Sequence, residues 1–331
     1  MSKVEAGMYN PELKNAFLNE QYENEDSRKI VSYLFYNSRP TEEQLKKDLA
    51  NFNINDIDVL MKDLDPPNSA VARSNGSVIS TYINWAMGNG HRKAIDNPLR
   101  GIYPEWYDKF VGDKKLFMSK DELKDTIENI HNAQDAVIMQ LLFEGVSGNK
   151  MSELLNLKQE DIDWDNNILH LEDDKFGKRD VEVTEDCLQL IQQAINQTIY
   201  YSKNGTATGR KAEIELVENE YVLRNIKTGA YSTGKGSPNL IYRRLTVISE
   251  LFDLPYLTSK NLTKSGMIYE AYKEFVSTGT LDNDQISKIA EKFGVRKIKV
   301  REYEYYNTSI LREFINNENI MKLYNIDIEN N

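Results

Sequence analysis

Residues 141–158 read Leu141-Leu-Phe-Glu-Gly-Val-Ser-Gly-Asn-Lys-Met-Ser-Glu-Leu-Leu-Asn-Leu-Lys158, and Asp161-Ile-Asp163 follows. The apolar run halts at Gly145, and a second begins after Lys150. The layout is helix, glycine break, second helix over Lys150–Leu157, then an acidic turn into a strand. Downstream, Asn167–Leu171 and Asp180–Val183 alternate as strands, with Lys175-Phe-Gly-Lys-Arg179 as the turn between them. Upstream, Ser119 is an N-cap for a helix over Lys120–Ile130, and Asn132–Phe143 is an apolar helix. Beyond the hairpin, Thr184–Tyr201 is helical, residues 203–213 form a polar loop, and Tyr221–Ile226 forms a short strand. Lys227–Pro238 is turn-rich. Helices follow over Pro238–Phe252, Ser259–Ser277, Asp282–Phe293 and Ser309–Ile320.

The first part of the chain is helical throughout. Residues 1–25 form a polar arm or a short first helix. Ser27–Tyr36 is a short amphipathic segment, and Pro40 starts another with Thr41 as its N-cap. Ile54–Leu64 ends at Pro66-Pro67, and Ser69–Gly88 is the longest helix, closed by Asn89-Gly90. The expected division is an arm at 1–25, a helical domain at 26–102, a linker at 103–118, a larger domain at 119–315 and a tail at 316–331. The fold class expected is mainly α with a small β-sheet, in two domains.

Of 331 residues, 40% are hydrophobic and 28% charged, the composition of a soluble globular protein. No apolar run is long enough to span a bilayer, so no membrane partner is expected. The start of the chain has neither the basic end nor the apolar centre of a secretory signal. The single cysteine, Cys187, permits no internal disulfide and fits a reducing cytoplasm. No Cys/His cluster has zinc spacing, and neither a metal nor a cofactor is expected. The net charge is −11, which taken alone disfavours nucleic acid, yet distribution matters more than the sum. Two stretches are basic and free of acids: 221–249, with Arg224, Lys227, Lys235, Arg243 and Arg244, and 292–301, with Lys292, Arg296, Lys297, Lys299 and Arg301. Each is either a solvated face or a phosphate-contacting one.

The helix–glycine–helix–strand layout around Ser152-Glu-Leu resembles box I of the tyrosine recombinase (phage integrase) family. Tyr82-Ile-Asn-Trp-Ala-Met-Gly-Asn-Gly90 with Asn97-Pro-Leu99 resembles the end of that family's helical core-binding domain. The resemblance covers nearly the whole chain. It implies an integrase-like fold of a core-binding domain and a catalytic-like domain, gripping opposite faces of a DNA duplex.

The family joins DNA through a tyrosine–phosphate intermediate, and its chemistry needs guanidinium forks around a negatively charged phosphorane. The box I arginine position is Lys150 here. The hairpin lysine, a general acid in the family, has Lys175 as its counterpart. The alternative for Lys175 is a plain basic turn residue. Box II matches Thr258-Ser-Lys-Asn-Leu-Thr-Lys-Ser265, with Lys260 at the histidine position and Thr263 at the arginine position. The third signal matches Phe293-Gly-Val295 and puts Val295 at the His/Trp position. Tyr305 is the best counterpart of the nucleophile, or else a packing aromatic. With both arginine positions altered, a phosphoryl-transfer site is expected to be inactive.

What remains is DNA binding. The resemblance implies a catalytically degenerate member acting as a sequence-specific phage repressor on double-stranded operator DNA in the host cytoplasm. An active recombinase with an altered site and a protein-interaction module are the competing readings. Candidate contacts are Arg73 and Asn75 (with Ser74) on the 69–88 helix, then Lys150, Lys175, Lys178, Arg179, Lys235, Arg243, Arg244, Lys260, Lys264, Arg296 and Lys297. Asp284–Val295 also reads as the first helix and turn of a helix-turn-helix, with Ala290 at the crossing and Gly294 in the turn. The tail's Met321, Leu323, Tyr324 and Ile326 can dock in cis, or in trans as a self-association element.

Overall fold

A computed structural model describes residues 3–112, 114–227 and 234–328. The chain divides into two compact units, Met1–Lys115 and Leu116–Asn331.

The first unit is all-helical: α1 Lys3–Ala6, α2 Pro11–Gln21, α3 Glu25–Leu45, α4 Ile54–Leu64 and α5 Ser69–Gly88. Asparagine side chains at positions 24, 53 and 68 cap α3, α4 and α5, accepting the backbone N–H groups that a helix start leaves unpaired. Phe17, Phe35, Leu49, Ile57, Leu60, Tyr82 and Ile83 fill its core.

Three expectations change here. The supposed arm is part of the core, because α2 buries Phe17 and Leu18. Its Lys14 is 0% exposed, with Nζ 2.6 Å from Glu42 Oε1 and 2.7 Å from the Tyr9 carbonyl. Pro40 does not divide α3. Phe35, Ser38, Thr41 and Glu42 are buried on both sides of it, so packing holds the helix across the missing N–H. Thr41 is therefore mid-helix, donating to Asp63 rather than capping. Within the expected linker, residues 104–110 form a 3-10 turn whose Tyr107 and Phe110 join the core. Gly76 of α5 makes this possible, since a Cβ there would lie 2.2 Å from the Tyr107 ring.

The second unit begins with α6 Lys120–Glu128, capped by Ser119 in a reciprocal box with Glu122. α7 Ala133–Phe143 is buried on every side. α8 Ser152–Asn156 leads into an antiparallel sheet, β1 Ile162–Asp163, β2 Ile168–Asp173 and β3 Gly177–Glu182, in the order β1-β2-β3. α9 Glu185–Asn196 follows, then a second small pair, β4 Ile199–Tyr201 with β5 Glu213–Glu215. α10 Pro238–Leu251, α11 Ser259–Thr278 and α12 Asn283–Lys292 come next. A two-stranded hairpin, β6 Ile298–Val300 with β7 Tyr303–Tyr305, precedes α13 Thr308–Arg312 and α14 Asn317–Tyr324. One core surrounds α7, the three-stranded sheet, α9 and α10, and another joins α11, α12, α13 and the tail.

The sequence and the structure part at several points. The box I helix starts at Ser152, not Lys150. The run read as helical from 184 to 201 stops at Asn196, then turns into β4. Tyr221 and Ile226 each make a single bridge, to Lys158 and Leu216, rather than a strand. The 309–320 helix is interrupted, because Asn316 caps a new helix by accepting Asn319 N–H. Beyond α12 comes the β6–β7 hairpin, so the helix-turn-helix reading fails for want of a second helix. Ala290 is buried and Gly294 has φ +63°, as that reading asked, but both serve an α–β turn. In the tail, Leu323, Tyr324 and Ile326 pack in cis, with Tyr324 stacked 4.4 Å from Tyr272. Of the turn-rich stretch expected over Lys227–Pro238, residues 228–233 lie outside the described residues.

Candidate nucleic-acid interface

The box I loop, the β2–β3 turn and the exit of α12 are tied together by a few side chains. Asp173, at the end of β2, accepts hydrogen bonds from the Lys175 and Phe176 N–H groups at 2.7 and 2.9 Å. Its other oxygen accepts the Asn149 N–H. These backbone donors hold the Asp173 carboxyl below the usual carboxylate range, against the opposing effect of burial. Gly148 allows the approach: a Cβ there would lie 2.5 Å from that carboxylate. Lys150 and Met151 follow in the left-handed conformation, at φ +53° and +67°. This backbone is costly for a residue with a side chain, and it carries Lys150 out into solvent on a loop.

Arg179 is the second tie. Its guanidinium donates to both oxygens of Glu153 at 2.6 and 2.8 Å, to the Gly145 carbonyl at 2.7 Å and to the Lys292 carbonyl at 2.7 Å. β3, the box I helix and the end of α12 are thus fastened by one side chain. With its donors spent on protein, Arg179 is an anchor rather than a DNA contact. Phe176, 40% exposed, is the third tie. The Arg296 guanidinium stacks 3.5 Å from its ring centroid, and Lys175 Nζ lies 5.2 Å from the same centroid. Lys175 and Arg296 therefore share one patch, and Lys150 is exposed on the box I loop that Asp173 ties to the same turn. None of the three has an ion-pair partner among the described residues.

The other sequence candidates divide by environment. Arg244 is 4% exposed. Its Nε lies 3.3 Å from Asp135 Oδ1, and it donates to the Gln134 and Arg224 carbonyls at 3.0 and 2.8 Å. It also stacks on Tyr200, whose hydroxyl donates to Asp135. Burial and the neighbouring Asp135 push the Tyr200 hydroxyl far above its usual range. Arg244 is a core residue rather than the DNA contact expected from sequence, because its guanidinium is buried against Asp135 and two carbonyls. Arg224 is buried as well and donates to the Ala194, Ile195 and Gln197 carbonyls, which explains why α9 stops where it does. So the two innermost arginines of the acid-free 221–249 stretch face inward.

Arg243, the neighbour of Arg244 on α10, is exposed. Lys235 bridges Asn156 at 2.8 Å and Asp174 at 3.2 Å. Lys178 faces Glu172 across the hairpin at 3.6 Å, in a fully wet setting. Lys260 is exposed near the start of α11. One turn on, Lys264 is half-buried with Nζ 4.3 Å from the Phe314 ring. Burial, then the charge of Lys260, lowers its ammonium from the usual lysine range. Thr258 caps α11, and the Thr263 hydroxyl donates to the Ser259 carbonyl, so the box II positions do helix work. Val295 is half-buried against the α11–α12 core. Lys297 lies over Tyr306 at 5.2 Å. Tyr305 is 46% exposed on the hairpin, paired with Ile298, so the packing reading of this tyrosine does not hold. In the first unit, Ala72, Gly76 and Ile79 turn α5 inward, leaving Ser74 exposed and Arg73 and Asn75 half-buried.

The sequence reading missed Asp173 and Glu153 as organisers and Phe176 as a shelf. An aromatic between two cations in a glycine turn is the available signal for the last. No helix among the described residues is long and apolar enough to cross a membrane.

Comparison with known proteins agrees with this architecture. Residues 117–325 match the family model described as MrpR, C-terminal catalytic domain, and residues 8–88 match MrpR, N-terminal core-binding domain. The chain is 32% identical over 320 residues to the SPbeta prophage-derived uncharacterized protein YopR of Bacillus subtilis (strain 168), covering 96% of this chain and 97% of that one. It is 34% identical over 153 residues to transposase A of transposon Tn554 from Staphylococcus aureus, which is 44% of this chain and 39% of that one. Among solved structures, the Tn1549 transposon integrase with transposon right-end DNA superposes with TM-score 0.50 at 10% identity, covering 92% of this chain and 93% of that one. A core-binding unit followed by an integrase-like unit, each matched by its own model, places this chain in the MrpR family.

Proposed function

We propose that this protein is a non-catalytic, sequence-specific binder of double-stranded DNA that represses the lytic genes of a prophage. The observation that carries the reading is the state of the two arginine positions. Lys150 is a solvent-exposed lysine on a strained loop, and Thr263 spends its hydroxyl on its own helix. Neither offers the two-pronged donor that a phosphorane requires. Removing a single preorganised donor from such a site commonly costs about 10²–10³ in rate. Cations that could hold a DNA backbone persist at Lys150, Lys175, Lys260, Arg243 and Arg296. Phosphate contacts of this kind fix register, while base-edge contacts elsewhere supply sequence preference. The prophage origin of the YopR relative supports the biological setting.

In vitro selection of bound duplexes with the full-length chain tests the reading and yields the site. Enrichment of one sequence is expected, with affinity falling steeply between about 50 and 200 mM salt. Absence of binding to any duplex at low salt would favour a protein-interaction role. A nicked suicide duplex tests for catalysis, and a covalent adduct that disappears in Tyr305→Phe would overturn the inactive assignment.

A further inference from the structure

We propose that Arg296, stacked on Phe176 beside Lys175, is the guanidinium that grips a DNA phosphate in this protein. The assignment rests on the DNA-binding reading above and names the side chain and the group it holds. The case is one of preorganisation. A free arginine has many side-chain rotamers, and binding must remove part of that freedom. Here one face of the guanidinium already lies 3.5 Å from the Phe176 ring centroid. Stacking occupies the face and leaves the edge, where the N–H donors are, free for a bidentate acceptor. Arg296 has no hydrogen-bond or ion-pair partner among the described residues.

The shelf and the cation are each held in place from behind. Asp173 accepts the Lys175 and Phe176 N–H groups and fixes the turn. Arg179 grips the Lys292 carbonyl, so the exit of α12 cannot slide relative to the hairpin. Gly294 then turns the chain at φ +63°, and any Cβ there would lie 3.0 Å from the Arg179 guanidinium. Arg296 comes two residues later. An exposed phenylalanine flanked by two unneutralised cations, in a chain of net charge −11, has no role in the core. Its chemistry suits a polyanion that meets Lys175 and Arg296 together. The neighbouring lysines differ in this respect: Lys235 and Lys178 already face carboxylates.

The test is fluorescence anisotropy with the full-length chain, a duplex recovered by selection and a scrambled duplex, across a salt series. Arg296→Ala should weaken both duplexes by a similar factor, about 10–100-fold, the range for a hydrogen-bonded charged contact. It should also reduce the slope of log affinity against log salt by about one. Arg296→Lys should keep most of the slope and still lose affinity, because the charge stays while the fork and the stack go. Phe176→Leu should keep the slope and cost roughly 2–5-fold, the worth of an exposed cation–π contact. Unchanged affinity and slope in Arg296→Ala overturn the assignment. So does a loss confined to the selected duplex with the slope intact, which would make Arg296 a base reader. A wild-type chain that binds neither duplex removes the function itself, and this assignment with it.

Discussion

At the scale of single residues, environment separates arginines that look alike in sequence. Arg243 and Arg244 are adjacent, and only Arg244 faces the buried carboxylate of Asp135. Removing one partner of such a pair leaves an uncompensated buried charge, which typically costs about 3–5 kcal/mol. Arg244→Ala should therefore destabilise the second unit by that order, seen as a lower denaturant midpoint, while Arg243→Ala leaves the midpoint unchanged. Equal stability of the two variants would contradict the buried pair. His170 gives a pH-dependent case. Its Nδ1 lies 2.8 Å from Asp180 across the β2–β3 pair, and that hydrogen bond raises the imidazole above its ordinary value. A raised histidine contributes stability that is complete below the unfolded value of about 6.5 and is lost as pH rises through the folded one. NMR titration of the ring should show the elevation, and Asp180→Asn should abolish it. A ring that titrates identically in both proteins would show that the pair does not form.

At the scale of elements, the second unit depends on one close helix crossing. α11 meets α7 at Gly266, where a Cβ would lie 1.8 Å from the Phe143 carbonyl oxygen and 3.0 Å from the Phe293 ring. Gly266→Ala must push these helices apart, and overpacking of this kind costs about 1–3 kcal/mol or more. A clear drop in melting temperature is expected, and an unchanged one would mean the crossing is looser than described. The same crossing positions Phe293, and through it the turn that carries Arg296. The hairpin β2–β3 works in the complementary way. Its tip offers Lys175 and Phe176 outward, while Arg179 reaches back to Glu153, Gly145 and Lys292. A run of basic residues in one turn is thus split between solvent and scaffold.

At the scale of the whole molecule, the two units have separate hydrophobic cores. Phe17, Phe35, Ile57 and Tyr82 belong to the first, and Val137, Leu141, Leu154 and Leu169 to the second. Each core is large enough to drive folding by itself. Residues 1–115 and 116–331, expressed apart, should each give a cooperative thermal transition by circular dichroism. An unfolded first unit would show that its core needs the second. The net charge of −11 belongs to this scale too, and it does not predict the local field. Many acids are consumed in internal pairs and caps, as with Glu42, Glu153 and Asp173, while Lys150, Lys175 and Arg296 have no ion-pair partner among the described residues.

Helices whose signals are local can be read from the amino-acid order alone. Ser69–Gly88 and Ile54–Leu64 match their apolar periodicity and stop residues, and Ser119 caps α6 as its side chain dictates. The β2–β3 hairpin and the box I framework were legible for the same reason, since turn glycine and alternation act over a few residues. Features controlled by long-range packing became legible only in the folded chain. Pro40 sits inside one helix because both flanks are buried. Arg244 and Arg179 are scaffold because carboxylates and carbonyls distant in sequence come to meet them. Phe176 and Arg296 form a pair between positions far apart in the chain, brought together by Arg179 holding the end of α12 to β3. Side-chain chemistry is written in the sequence, but a charge becomes a ligand site or a strut according to which partners the fold delivers to it.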